Sequence, residues 1–171
     1  MKTILLFCAV FLSLVLEATL FRIPFFAVYA PNLVVIGLVM AGIFRGSRVS
    51  AVLGVLIGLT QDVSYGAFLG QTAFAYAVIG SMSGYFRGLV MRESLLLALL
   101  LTGVGTEVFT WVTFGISRLF GEASIGVHAV VVESAQSSLV TMGYTIVLYY
   151  LYRRLFRVKS RTTYAEESNA S

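Results

Sequence analysis

Apolar residues in this chain are gathered into long runs, separated by short clusters of charge. The runs cover residues 3–21, 33–44, 49–60, roughly 68–86, 94–117 and 127–152. None shows the strict two-residue alternation of a half-buried strand, and most are too long for one, so each predicts a helix. Four approach the roughly 20 residues that a helix needs to cross a bilayer, and the runs at 33–44 and 49–60 fall short of it. For the first short run two arrangements stay open. Its helix begins earlier, near Phe25, and kinks at Pro31, or it is a short helix buried in a bundle. Two short helices in succession suggest a cavity or a thinned region, with non-helical backbone shielded by protein or water.

The polar punctuation gives the first run its reading. Lys2 precedes it, as in a secretory signal peptide, but no A-x-A site follows and Glu17 lies inside it. It reads as a retained first helix. Residues 22–31 contain Pro24 and Pro31 with Phe25, Phe26 and Tyr29, rings that suit a membrane interface. Pro31-Asn32 opens the second helix, with proline tolerated in a first turn. Residues 63–70 are uncharged and glycine-spaced and include a turn.

Composition agrees with a lipid setting. Of the 171 residues, 58% are hydrophobic and 12% are charged, against about 25% charged in an average soluble domain. The expected architecture is all-α: a polytopic membrane protein of about six transmembrane helices, two of them short. One domain spans residues 1–156, and residues 157–171 form a basic, then polar cytoplasmic tail that reads as disordered. The positive-inside bias sets the orientation. With both termini in the cytoplasm, ten of the twelve basic residues lie inside, and only Arg22 and Arg118 lie outside. Asp62, Glu122, His128 and Glu133 then fall towards the outer side. Fusing the two short runs into one span would carry Arg45 and Arg48 into the bilayer.

Residues 46–88 hold the densest pattern. Gly54, Gly58, Asp62, Gly66 and Gly70 recur at four-residue spacing, followed by Gly80, Gly84 and Gly88. On a helix that spacing keeps positions on one face, and glycine there lets another backbone come close. These five residues are the candidate surface for a partner's transmembrane helix. The simpler alternative is close packing alone, with Asp62, the only aspartate in the chain, capping a helix at the membrane surface. An acid at membrane depth otherwise calls for a partner, a water-filled site or an interface.

Little else points to chemistry. No H-x-x-x-H, C-x-x-C, G-x-S-x-G or P-loop pattern occurs. His128 with Glu133 five residues on is a poor helical ligand pair. Cys8 alone excludes an intrachain disulfide. No metal, cofactor or enzymatic activity is expected, and nucleic acid is no expected partner. Glu107 follows Gly103 and precedes Trp111 by four residues each, a face that suits another helix. Glu107 and Glu133 read either as ion-paired residues that fix helix register or as part of a proton path. The basic stretch after residue 152 suits anionic lipid headgroups, or a cytoplasmic partner.

The glycine–aspartate ladder, preceded by a Pro-Asn helix start and a basic Arg-Gly loop, resembles the rod shape-determining protein MreD family. The length and the order of runs are similar over most of the chain, although residues 46–88 carry the specific match. Asn32 stands where family members often have aspartate, and Phe68 where they often have proline. The resemblance implies a non-enzymatic component of the rod (elongation) complex in the bacterial inner membrane. It implies binding to an MreC-like bitopic protein, beside the MreB filament and the cell-wall polymerase and transpeptidase, so linking cytoskeleton to peptidoglycan synthesis. More remotely, the family is similar to the substrate-binding membrane subunits of energy-coupling-factor transporters, which have six helices and an outward cavity. That likeness gives the competing expectation, a vitamin-binding subunit with a cavity near Asp62 and residues 63–70.

Overall fold

A computed structural model describes residues 2–20, 31–66, 68–86, 95–121 and 126–156. Within them lie six helices and no strand: α1 (Lys2–Leu20), α2 (Leu33–Arg45), α3 (Ser47–Tyr65), α4 (Gln71–Tyr85), α5 (Leu95–Leu119) and α6 (Val127–Phe156). The interfacial aromatics at 25, 26 and 29, the loop at 87–94 with Gly88, Glu122 and the tail from 157 lie outside the described residues.

The short helix α2 is the core. Every residue from Leu33 to Ile43 is buried, and α1, α3, α4, α5 and α6 all pack on it. Of the two arrangements open for this run, the described helix takes the second: it starts at Leu33 and sits inside the bundle. Pro31 is not in its first turn, because Asn32 is the N-cap and its side chain accepts from the Val35 N–H at 3.1 Å. Apolar residues on every side leave α2 no face for water, and a helix of that pattern is stable only when surrounded.

Gly46 alone separates α2 from α3. Its φ of +95° is the left-handed region that a side chain disfavours. It closes α2 through its N–H to the Gly42 carbonyl (2.8 Å), and its own carbonyl accepts from Ser50 N–H (3.2 Å) at the start of α3. The second short run is longer than its apolar residues indicate. The helix passes through Gln61 and Asp62 to Tyr65, because the side chain of Asp62 finds its partners without breaking it.

The outer helices turn apolar residues outwards. Leu12 is 56% exposed, Val52 59%, Leu96 66% and Leu139 71%. By length and composition α5 is long and apolar enough to cross a membrane, while 7–19 and 33–45 are apolar but shorter. Among the described residues the six expected runs are six helices, and one of them passes that test by itself.

Candidate functional site

Helices α3 and α4 form an antiparallel pair whose backbones touch along their length. A Cβ added to Gly54 would lie 2.5 Å from the Tyr76 carbonyl oxygen, and one on Gly58 would strike the backbone of Ala73. The contact is reciprocal. A Cβ on Gly80 would lie 2.6 Å from the Ser50 carbonyl oxygen, and one on Gly84 would strike Ser47. Glycines from both helices therefore alternate along one seam, and the lost side chains let the main chains meet. Ser47 Oγ crosses the same seam to donate to the Ser81 carbonyl at 3.0 Å.

The ladder does not continue as one helical face. Gly54, Gly58 and Asp62 lie on α3, whereas Gly66 follows its last residue and Gly70 is the N-cap of α4. Gly66 donates its N–H to the Asp62 carbonyl at 2.9 Å and ends the helix. Gly70 has φ +95° and open space around its Cβ position, so conformation rather than room accounts for glycine there.

Asp62 is buried, 4% exposed, and its carboxylate lies against the N-terminus of α4. Oδ2 accepts from the N–H groups of Gly70 (2.9 Å) and Ala73 (3.2 Å), and Oδ1 accepts from Thr72 N–H (3.1 Å). The first N–H groups of a helix have no intrahelical partner, and the helix dipole favours an anion beside them. Gly70, as N-cap, has no side chain to serve them, so the preceding helix supplies the cap. Of the alternatives open from sequence, helix capping is the one the geometry displays, within the chain itself.

A second acid does the same work. Glu17 is near the end of α1, and its Oε2 accepts from Val34 N–H, in the first turn of α2, at 3.3 Å. Asn32 adds its own side-chain cap, and its N–H donates to Thr141 Oγ1 of α6 at 3.1 Å. Helices α2 and α4 thus each begin against a carboxylate sent back from the helix before. Sequence reasoning missed Glu17 as a cap. The available signal was its place near the end of its run, matching that of Asp62.

Polar residues gather beside Asp62. Tyr76 Oη donates to Gln61 Oε1 at 3.0 Å, and Gln71 Nε2 donates to the Thr113 carbonyl (2.9 Å) and Ser117 Oγ (3.1 Å), tying α4 to α5. Gln71 was not singled out from sequence, because one glutamine after a glycine gives no periodic signal. His128 and Glu133 are exposed on α6, and Glu107 is half-buried on α5, so the structure does not bring these three to Asp62. Among the described residues no group of three His, Cys, Asp or Glu side chains could hold a metal. A narrow apolar crevice between α4 and α5 is lined by Ile79, Met82, Ser83, Leu101, Val104, Gly105 and Val108.

Compared with known proteins, the chain matches the family model of the rod shape-determining protein MreD over residues 1–159. It therefore belongs to the MreD family. No curated protein and no solved structure matches it.

Proposed function

We propose that this member of the MreD family is a non-enzymatic, multi-pass component of the bacterial inner membrane. It helps determine rod shape by binding an MreC-type bitopic protein, so linking the MreB filament to peptidoglycan synthesis. The observation that carries the reading is the family match, which runs from residue 1 to 159 and so takes in every described helix. The outward apolar rows support its membrane part. Contiguous apolar surface on several helices is unstable in water and normal against lipid tails. The clustering of basic residues at one set of loops supports cytoplasmic termini.

Within this proposal the ladder residues Gly54, Gly58, Asp62, Gly66 and Gly70 serve partner binding through the hairpin they build. The seam of Gly54 and Gly58 is filled by α4, and the Asp62 carboxylate is occupied by α4 amides. A partner therefore meets the outer faces that this hairpin helps hold in place. The likeness to energy-coupling-factor substrate subunits enters as a proposal about architecture only. No observation favours a vitamin site at Asp62, whose two oxygens already accept three backbone N–H groups.

Depletion of the protein in its source bacterium, with imaging of cell outline, tests the reading. Rod cells are expected to widen and round. A vitamin requirement with unchanged shape would refute it.

A further inference from the structure

Helix α5 is the most clearly membrane-spanning element, and Glu107 stands at the midpoint of its 25 residues. At 1.5 Å per residue the carboxyl-bearing residue is about 18 Å from either helix end, close to the middle of a hydrocarbon layer about 30 Å thick. Glu107 is half-buried and stands at the border of the helix's outer face. Leu100, Val104 and Trp111, at helical spacing around it, are 50%, 50% and 42% exposed. Ala98, Thr102, Gly103, Gly105 and Thr106 are buried, and Gly103, one turn before Glu107, lies against Met142 of α6.

The hydroxyls nearest along the helix are already committed. Thr102, Thr106 and Thr110 each donate to the carbonyl one turn back, at 2.6, 2.9 and 3.1 Å. On α6, Ser134 donates to the Val131 carbonyl and Ser138 to the Gly103 carbonyl. Among the described residues none donates to the Glu107 carboxylate. Arg118 lies about 16 Å further along the helix, with its guanidinium over the Phe114 ring. The comparison with α3 is direct. Its exposed residues from Val52 to Val63 are Val52, Val55, Leu56, Leu59 and Val63 with Thr60, whose hydroxyl donates to the Leu56 carbonyl of its own helix, and lipid suffices to cover them. Lipid supplies no hydrogen-bond donor for Glu107, and an ionisable group at mid-bilayer normally faces a partner.

We propose that the outer face of α5, formed by Leu100, Val104 and Trp111 and bordered by Glu107, is the docking surface for a single transmembrane helix of another protein. That helix carries a cationic or amide donor at mid-membrane depth. Complementarity decides the occupant: the carboxyl group is an acceptor for which the described residues supply no donor. An Arg, Lys, Asn or Gln side chain would complement it. Towards the outer end of the helix, Gly115 has open space at its Cβ position and lets the neighbour stay close beyond Trp111. The proposal rests on the membrane and MreC-partner reading above, and it adds the surface and the recognising group.

The test uses the full chain in its own membranes, with the MreC-type partner tagged. A photo-crosslinking residue is placed at Val104, at Trp111, at Val55 on α3 or at Leu139 on α6. Crosslinks to the partner's membrane segment are expected from 104 and 111, and not from 55 or 139. Glu107→Leu is expected to lower partner recovery at least tenfold, and Glu107→Gln, which keeps an acceptor, to lower it less. Thermal unfolding of each variant shows whether the fold itself is lost. Val104 and Trp111 probe the surface without altering Glu107, so crosslinking remains decisive if Glu107→Leu fails to fold. Crosslinks from 55 or 139 alone, adducts between two copies of this chain, or full recovery with Glu107→Leu would overturn the proposal and leave the partner reading standing. If the partner is not recovered with the unaltered chain, both fall.

Discussion

Asp62 and Glu17 show how one side chain decides where a helix can start. An α-helix that begins away from water leaves N–H groups bare, and each bare buried donor costs about 1–3 kcal/mol. Asp62 satisfies two such groups in the first turn of α4 and the N–H of its N-cap Gly70, and Glu17 satisfies one in α2, where Asn32 shares the load. The two sites therefore differ in what a substitution removes. Asp62→Ala should destabilise the protein by about 2–4 kcal/mol, as the loss of a buried cap with several donors. Asp62→Asn retains one carbonyl acceptor and should cost less. Glu17→Gln keeps an acceptor within reach of Val34 and should be nearly neutral. Thermal unfolding in detergent, with the three variants side by side, checks the order, and equal losses would contradict it. The sequence made Asp62 conspicuous as an acid in apolar surroundings, and capping was one of its readings. It did not say which helix is capped, because the donors lie 8 to 11 residues further on and need the turn to fold back.

At the scale of elements, the seam between α3 and α4 is what the four-residue glycine spacing builds. The spacing was readable as a surface for a helix, and the structure supplies that helix from the chain itself. It could not show where α3 ends, since Gly66 and Gly70 continue the numerical pattern while the backbone leaves the helix. Periodicity is blind to a left-handed residue such as Gly70, where φ is +95°. The seam makes a prediction opposite in emphasis from a partner-facing groove. Gly58→Leu places atoms where the Ala73 backbone lies, so α3 and α4 must part. Overpacking of a tight contact costs about 1–3 kcal/mol or more. Thermal stability of the isolated protein should fall together with partner recovery. Lost recovery at unchanged thermal stability would instead put Gly58 in direct contact with the partner.

For the whole molecule, the arrangement is a short buried helix ringed by helices with apolar outer faces. The buried α2 has 13 residues and α4 has 15, about 20 and 23 Å of helix, both less than the hydrocarbon thickness of about 30 Å. Such helices can start below the membrane surface only if their first N–H groups are served from within, which Glu17, Asn32 and Asp62 do. The helix count and the apolar periphery were legible because hydropathy reports which solvent each run prefers. Burial of α2 was open, since a run apolar on all sides looks alike whether it faces lipid or protein. On the membrane reading proposed above, the link at Gly46 decides the disposition across the bilayer. That one residue joins α2 to α3 between Arg45 and Arg48, and moving those two guanidiniums across the apolar layer would cost about 2.5–3.5 kcal/mol each or more. The Gly46 link should therefore lie on the same side as the basic C-terminal segment. Reporter fusions at Gly46 and after Ser171 should both be active in the cytoplasm. Opposite locations would break the six-crossing arrangement, because an odd number of spans would then separate residue 46 from the C-terminus.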